Sequence, residues 1–438
     1  MPPKTETAGS ADQHDTEGRL SGTAVGYSPL VVHGLFESPE VALHVCEESG
    51  LRKTDAPILL SIPSFYALEW ARKFIVSIKS QYPGRKIIAG GRWVVGNNTK
   101  WIEDHLAADL VVPGLVGENI LHIVSTGSVG EFIPTPVKEL RPNKKFNYDL
   151  LYERDLFQPS IMVSSGCGLG CAFCEEANIA LSKLKKPCLV AEEMAAIHNS
   201  KRLVDATPYL ESSMFVATKE WAKQLFIERE KRGVACKWRV ESRVDKLKAE
   251  NVRLLAKAGL KVLDLGLESA SHGQLIRMKK TNNPAHYLAA AQELIETAYD
   301  NGIWVKVNIL LYAGESYRTI DETTKWLSKV RYAIKGVSAG PVVIYGLPGD
   351  INGYIEELES YGASTLSTDI VGVTNVSPSR EIDHRRALEM SKYICRDFMT
   401  AQDYFDLKSF SYFPRNYTHL EFLRDIADVN QDEVSFGL

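Results

Sequence analysis

The chain has 438 residues, of which 45% are hydrophobic, and carries a formal net charge of −4 with a pI near 6.2. This size and composition indicate a globular protein with two or three domains. The slight acidity excludes bulk attraction to nucleic acid or to anionic membranes. No apolar run approaches the roughly 18 residues typical of a membrane span, so no membrane partner is expected.

The N-terminal part of the chain follows a βα pattern. Residues 1–27 are rich in Thr, Ser, Gly, Asp and Glu and lack a signal-peptide pattern, so we predict a disordered lead. Residues 28–133 are predicted to form a Rossmann-like domain, because alternating short strands and helices indicate a parallel sheet. Its predicted strands are Leu30–Val32, Pro57–Ile62 (buried), Lys86–Ala89 and Asp109–Val112, and its predicted helices are Ala67–Ser80 and Trp101–Leu106.

Residues 134–159 lack periodicity and are predicted to be a linker. The βα pattern then resumes over residues 160–350, where six units fit a partial (β/α)6 TIM-like barrel. Its predicted strands are Ile161–Ser164, Met214–Ala217, Cys236–Val240, Val262–Gly266, Trp304–Leu311 and Val342–Tyr345, and its helices include Lys219–Arg232, Glu250–Ala258, Pro284–Asn301 and Ile320–Ile334. Residues 351–438 are predicted to be a small helical, aromatic-rich region, whose aromatic side chains either close over a substrate or pack in a terminal core.

Three cysteines follow the first predicted barrel strand with the spacing C-x3-C-x2-C: Cys167, Cys171 and Cys174. Three thiolates on one loop can hold three corners of a [4Fe-4S] cluster and leave one iron open to another ligand. The alternative is a zinc site, which needs a fourth ligand that no nearby cysteine pair or histidine supplies. Seven cysteines in a chain of this length do not indicate a disulfide framework, so a reducing, cytoplasmic location is expected.

This cysteine loop, with Phe173 before its last cysteine, resembles the signature of radical S-adenosylmethionine (SAM) enzymes. The resemblance implies a [4Fe-4S] cluster whose open iron binds the amino and carboxylate groups of SAM. One electron from the cluster then cleaves SAM to a 5′-deoxyadenosyl radical. It also implies an external electron donor of the flavodoxin or ferredoxin type.

The N-terminal domain resembles the cobalamin-binding domain that precedes the barrel in one class of these enzymes. Small residues after its strands match that class in order, and the resemblance implies that they contact cobalamin: Ser61, Ser64, Gly90, Gly91, Gly114 and Gly117. The turn that contains Gly117 is one residue longer than the usual form. Asp12-Gln13-His14 does not have the spacing of a cobalt-binding histidine motif, so no histidine is assigned to the cobalt. A Rossmann-like domain that binds nothing, or binds another nucleotide, is the alternative.

Barrel segments also resemble those of this class, namely Glu241–Asp245, Gly266–Ser271, Ala313–Ser316 and Pro348–Asp350. The resemblance implies a SAM site at the strand ends with five contributors: Phe173, Arg243, Glu268, Ser269 and Gly314. A guanidinium can pair with the SAM carboxylate through two parallel hydrogen bonds. The alternative for Arg243 is an ion pair with Asp245 or Glu241. Glu315 is interpreted as a carboxylate at a helix N-terminus. No residue is assigned as catalytic.

The resemblance implies a cobalamin-dependent radical SAM C-methyltransferase, which moves a methyl group from SAM through methylcobalamin to a carbon of a small-molecule or peptide substrate. One alternative keeps the cofactors and performs a rearrangement, a cyclisation or a polar methyl transfer without the adenosyl radical. Another is a non-catalytic iron–sulfur redox protein. A methylthiotransferase is disfavoured, because its N-terminal domain would need three more cysteines and this one has only Cys46.

Overall fold

A computed structural model of the chain describes residues 38–91, 99–114, 116, 119–127, 154–203, 205–347 and 349–437. The predicted lead, the strand Leu30–Val32, most of the predicted linker and Gly117 lie outside these residues. The chain divides into two compact units. The first comprises the described residues up to Arg154, together with residues 345–347 and Thr368–Val373, and the second comprises the remainder.

The first unit contains a parallel three-stranded sheet with the order β1-β2-β3. Its strands are β1 Ile58–Ser61, β2 Ile87–Gly90 and β3 Leu110–Val111, and its helices are α1 Pro39–Glu48, α2 Leu68–Gln81, α3 Thr99–Leu106 and α4 Asn119–Thr126. The predicted face of α2 is buried along its whole length, from Leu68 to Ile78. Strand β1 was predicted to be buried, and this prediction is wrong: its residues alternate between half-buried and exposed, because β1 pairs only with β2 in the described sheet.

The second unit is built on a parallel six-stranded sheet with the sequential order β4-β5-β6-β7-β8-β9. The strands are β4 Ser160–Met162, β5 Tyr209–Glu211, β6 Trp238–Arg243, β7 Leu260–Glu268, β8 Trp304–Leu311 and β9 Gly336–Pro341. The helices between them are α5 Pro187–His198, α6 Lys219–Lys231, α7 Ala249–Lys257, α8 His272–Arg277, α9 Pro284–Asp300 and α10 Tyr317–Lys329. Six parallel strands with intervening helices confirm the predicted α/β class and the partial barrel.

Two strand predictions are wrong. The second barrel strand is Tyr209–Glu211, whereas Met214–Ala217 forms the loop that follows it. Met214, Phe215 and Ala217 are buried because the loop stays beside β6, where the Phe215 N–H donates to the Glu241 carbonyl at 3.2 Å. The sixth barrel strand is β9, and Val343–Tyr345 forms a separate strand, β10.

Register across the barrel places polar side chains in rows. Asp264 of β7 lies opposite Glu241 of β6 and Lys306 of β8, and Asn308 of β8 lies opposite Gly266 and Ser338. The alternate residues of β8 are buried hydrophobics. Because successive side chains of a strand point to opposite faces, the apolar face packs on the helices and the polar rows line the barrel interior.

The C-terminal region contains a small sheet as well as the predicted helices. Strand β12 (Val373–Ser377) lies between β10 and β11 (Ser364–Ser367), and the helices are α11 Asn352–Ser360, α12 His384–Phe398, α13 Ala401–Ser409 and α14 His419–Ala427. Seven aromatic side chains of this region pack in one cluster with Leu407: Tyr404, Phe405, Phe410, Phe413, Tyr417, Phe422 and Phe436. A terminal core therefore accounts for them. Within the described residues, no helix combines the length and apolar character that crossing a bilayer requires.

Candidate active site

The three cysteines of the C-x3-C-x2-C motif lie on the loop that follows β4, at the C-terminal edge of the barrel sheet. Cys171 is buried, and Cys167 and Cys174 are half-buried. Hydrogen bonds fold the loop onto the segment after it: the Cys167 N–H donates to the Ile179 carbonyl at 2.8 Å, and the Gly170 N–H donates to the Ala177 carbonyl at 3.2 Å. All three thiols belong to one compact turn.

Gly166 allows this turn to close. Its φ is +74°, and a Cβ at this position would lie 2.3 Å from the Ala180 carbonyl oxygen, which no side chain tolerates. The loop is also attached to the turn after α8, because the Ala172 N–H donates to the Met278 carbonyl at 2.9 Å. The cysteines are thus held by backbone on both sides of the loop.

Among the described residues, no three His, Cys, Asp or Glu side chains are arranged to hold a single metal ion. The thiolates of an iron–sulfur cluster each bind a different iron atom and therefore need not converge on one point. The cysteine loop consequently fits a cluster better than it fits zinc, which requires four ligands around one ion. Burial raises the pKa of the Cys171 and Cys174 thiols, so a bound metal centre would be needed to hold them as thiolates.

Arg243, at the end of β6, lies directly beside Cys171. Its Nη1 is 3.4 Å from the Cys171 Sγ, and its Nε donates to the Asp245 Oδ1 at 2.6 Å. A second bond from Nη2 to Asp245 Oδ2, at 3.3 Å, completes a two-pronged ion pair. Arg243 therefore lies at the cysteine loop and also forms the ion pair with Asp245 that was the alternative. The contact of Arg243 with the SAM carboxylate stays a prediction.

Glu268, the last residue of β7, adopts a left-handed conformation with φ +68°. A side chain other than glycine is strained there, and such strain concentrates at functional sites. Its Oε1 accepts a hydrogen bond from Lys280 Nζ at 3.0 Å. Lys280 is only 6% exposed, and its Nζ lies 5.5 Å from the centre of the Phe173 ring. Sequence reasoning missed Lys280, because a lysine after a short helix carries no recognisable pattern.

The other two predicted SAM residues contact protein groups. The Ser269 hydroxyl lies 3.1 Å from the Thr323 hydroxyl on α10 and accepts from the Ser271 N–H. The Gly314 N–H donates to the Pro378 carbonyl at 2.8 Å, and its carbonyl accepts from Arg277 Nη1 at 2.9 Å. The structure thus brings Phe173, Arg243 and Glu268 together around Lys280 and shows Ser269 and Gly314 in separate contacts.

Glu315 immediately precedes Ser316, the N-cap of α10. Its side chain is only 3% exposed and accepts a hydrogen bond from the Thr319 hydroxyl. Burial raises the pKa of Glu315 to about 7. The predicted position at a helix N-terminus is confirmed, but the carboxyl is buried and close to half-protonated at neutral pH.

The opposite end of the barrel is closed by a buried ion pair. Arg239 and Asp264 are 1% and 0% exposed, and Arg239 Nη2 donates to Asp264 Oδ1 at 2.7 Å. Arg239 also donates to the Leu407 carbonyl at 2.8 Å and lies 4.9 Å from the Tyr412 ring centre. The C-terminal helices therefore seal this end. Above the pair, burial and the charge of Asp264 raise the pKa of Glu241.

In the first unit, the described residues among those predicted to contact cobalamin lie at or after strand ends, and Ser64 follows β1 by three positions. Ser61 and Gly90 close β1 and β2, and they are paired in register. Gly91 has φ +121°, and a Cβ there would lie 2.5 Å from the Ile62 carbonyl oxygen. The absence of a side chain at 91 is thus explained by the approach of the two strand ends. Gly114 follows β3 with φ +70°. No ligand contact is assigned from these positions alone.

Residues 161–327 match the model of the Radical SAM superfamily. This segment is a radical SAM domain. It begins in β4, contains all three cysteines and the Arg243, Glu268 and Lys280 positions, and ends within α10. No curated protein matches the sequence.

The fold beyond the radical SAM domain is also shared with solved structures. The radical S-adenosylmethionine methyltransferase TsrM from Kitasatospora setae matches 79% of this chain and 74% of its own, with 16% identity and a TM-score of 0.60. The cobalamin-dependent SAM radical enzyme OxsB matches 73% of this chain and 48% of its own, with 15% identity and a TM-score of 0.52. At these identities the likeness establishes the fold: an N-terminal Rossmann-like domain, a partial barrel and a small C-terminal region.

Proposed function

We propose that this protein is a cobalamin-dependent radical SAM enzyme that transfers a methyl group from SAM to a carbon atom of a small polar molecule. The observation that carries the proposal is the extent of the TsrM likeness, which covers 79% of the chain and not only the radical SAM domain. TsrM is named as a methyltransferase, and its structures contain tryptophan with a SAM analogue, or cobalamin with a [4Fe-4S] cluster.

The residues of the radical SAM domain fit a cluster and SAM. Cys167, Cys171 and Cys174 would hold the cluster and leave one iron for SAM, as radical SAM domains do. Arg243 contacts Cys171, and Glu268 pairs with Lys280 beside this loop; these two side chains would orient the amino acid part of SAM. The bound groups supply the electron, the methyl group and the methyl carrier. The protein positions these groups, because SAM, the methyl carrier and the substrate must be held in one geometry.

The first unit would hold cobalamin through small residues at or after its strand ends, namely Ser61, Ser64, Gly90 and Gly114. Ligands of open parallel sheets bind at this edge. No histidine lies at the described strand ends of this unit: His44, His105 and His122 all belong to helices. We therefore propose cobalamin bound without a histidine ligand to cobalt from this part of the chain.

The barrel interior supports a polar substrate. Glu241 and Lys306 lie in the same row as Asp264, and Asn308 and Ser338 lie in the row two residues nearer the strand ends that carry the cysteine loop. A small molecule with hydrogen-bonding groups is complementary to such a surface. The TsrM structure contains tryptophan, which is a small molecule with hydrogen-bonding groups.

The test is anaerobic incubation of cluster-reconstituted, cobalamin-loaded protein with SAM labelled in its methyl group and with pools of small polar metabolites. The proposal predicts S-adenosylhomocysteine from the methyl donor, 5′-deoxyadenosine carrying the hydrogen removed from the substrate, and a labelled product with a new carbon–methyl bond. Formation of 5′-deoxyadenosine without label transfer would instead support a rearrangement or cyclisation. Loss of SAM to S-adenosylhomocysteine without 5′-deoxyadenosine would indicate polar methyl transfer. If SAM is consumed by neither route, the protein is a non-catalytic cluster protein.

A further inference from the structure

Lys280 places a buried positive charge next to the cysteine loop. The residue follows α8, is 6% exposed, and holds its ammonium 3.0 Å from Glu268 Oε1. The same ammonium is 5.5 Å from the ring centre of Phe173, which stands between Cys171 and Cys174 in the chain. Neither the cluster ligands nor the proposed contacts with SAM account for this buried lysine.

The position of Lys280 is fixed by backbone contacts. The Ala172 N–H donates to the Met278 carbonyl at 2.9 Å, which attaches the cysteine loop to the turn that carries Lys280. Arg243 Nη2 donates to the carbonyl of Lys280 itself. A Cβ at Gly266 would lie 2.7 Å from Glu268 Oε1 and 3.3 Å from Lys280 Nζ, so glycine at 266 leaves the space that the ion pair fills.

Two ion pairs, Arg243–Asp245 and Lys280–Glu268, therefore lie beside the cysteine loop. The ammonium of Lys280 faces the ring of Phe173, and the Lys280 carbonyl accepts from Arg243, whose Nη1 lies 3.4 Å from the Cys171 Sγ. The charge of Arg243 is matched closely by Asp245 through two hydrogen bonds. Lys280 and Glu268 are the second matched pair, and their contact at 3.0 Å places both charges beside the same loop.

We propose that Lys280 and Glu268 together set the reduction potential of the iron–sulfur cluster, with Lys280 raising it and Glu268 lowering it. The inference rests on the part of the proposed function that places a cluster on the cysteine loop. Reduction takes one electron from the external donor and adds one negative charge to the cluster, and no bond forms or breaks in this step. A nearby cation stabilises the reduced form and a nearby anion destabilises it, most strongly where water is excluded.

The experiment is a redox titration of the reconstituted full-length protein without SAM, in which the reduced cluster is measured by electron paramagnetic resonance. Lys280→Met is expected to lower the midpoint potential, and Glu268→Gln is expected to raise it. The double variant removes one charge of each sign and is expected to return towards the wild-type value. Lys280→Arg keeps the charge and is expected to leave the potential close to that of the wild type.

Lys279→Met is the matched control. Lys279 is adjacent in the chain, but its side chain is 57% exposed and pairs with Glu357 at 2.9 Å, so the potential should not change. If the pair had only a structural role, the midpoint potentials of both single variants would shift in the same direction, or neither would shift. Either result overturns the proposal. If Lys280→Met does not retain iron, the direction in which Glu268→Gln shifts the midpoint potential decides between the proposal and a structural role. Failure of the wild-type protein to assemble a cluster would refute the proposed function itself, and this outcome is distinguishable from an absent shift.

Discussion

Arg239 and Asp264 form an ion pair inside the barrel, where neither side chain is more than 1% exposed. The pair joins β6 to β7, and Arg239 continues the connection to the C-terminal region through the Leu407 carbonyl. Lys306 on β8 adds a third charge, 3.6 Å from Asp264 Oδ1. The buried Asp264 carboxylate thus links β7 to β6 and, through Arg239, to the C-terminal helices that close the barrel.

Asp264→Asn is expected to destabilise the protein by about 3–5 kcal/mol, because the guanidinium of Arg239 would remain buried without a counter-charge. The measurement is the free energy of unfolding in urea. Arg318→Gln is the control: Arg318 pairs with Glu322 on the surface of α10 with its side chain 77% exposed, and its loss should cost no more than about 1 kcal/mol. Equal effects of the two substitutions would contradict a structural role for the buried pair.

Cys171→Ala is expected to abolish the absorbance of the cluster near about 400 nm and most of the bound iron, since the variant lacks one of three thiolate ligands. Cys188→Ala is the control, because Cys188 is a half-buried cysteine that lies on α5, outside the motif. Iron content per chain and the visible spectrum are measured after anaerobic reconstitution. Full iron retention in Cys171→Ala would refute the ligand assignment.

Glu315 makes the stability of the protein depend on pH. With a folded-state pKa of about 7, raised by burial, the folded protein keeps a proton that the unfolded chain loses near pH 4.5. The stabilisation is therefore complete below pH 4.5 and is lost as the pH rises to about 7. Between pH 5 and pH 8, the free energy of unfolding of the wild type should fall by about 2–3 kcal/mol relative to that of Glu315→Gln, whose side chain stays neutral. Urea unfolding of both proteins at the two pH values measures this difference, and parallel pH profiles would contradict it.

Gly91→Ala is expected to destabilise the first unit by roughly 1–3 kcal/mol, because the backbone is left-handed at φ +121° and the new methyl group would contact the Ile62 backbone. Gly84→Ala is the control: a Cβ there meets nothing within 4 Å, so its effect should stay within about 1 kcal/mol. Unfolding free energies are compared first, and cobalamin retention is then measured on folded protein. If Gly91→Ala folds normally and loses only cobalamin, Gly91 is a ligand contact and the packing explanation is wrong.

Protein produced with supplied cobalamin is expected to purify with cobalt bound. Because Asp12-Gln13-His14 lacks the spacing of a cobalt-binding histidine motif, the cobalt(II) form is expected to show no splitting from a histidine nitrogen in electron paramagnetic resonance. Cobalt content and this spectrum are the measurements. A colourless preparation without cobalt would contradict the assignment of the N-terminal domain.

Elements with strong periodicity could be predicted from the sequence. Strand β8 was predicted with its observed bounds, Trp304–Leu311, because apolar residues alternate with polar ones along it. Helix α9, observed as Pro284–Asp300, was predicted to within one residue, since Asn283 and Pro284 give a recognisable start. The cysteine motif could likewise be recognised from the spacing of its three cysteines alone.

The misplaced strands and the missed residue depend on tertiary structure. Strand β9, Gly336–Pro341, contains two glycines, a serine and a proline, and is a strand because β8 pairs with it along its whole length. Met214–Ala217 is apolar because it is buried, not because it is extended in the sheet. Lys280 and Glu268 are twelve positions apart, and only the turn after α8 brings them together.

The central claim is that the three cysteines hold a cluster with an iron atom open to SAM. Electron paramagnetic resonance of the reduced, reconstituted protein, recorded with and without SAM, tests it most directly. The account predicts a four-iron signal whose line shape changes when SAM is added, because SAM becomes a ligand of the open iron. A spectrum that SAM leaves unchanged, or a purified protein that holds zinc in place of iron, would contradict it.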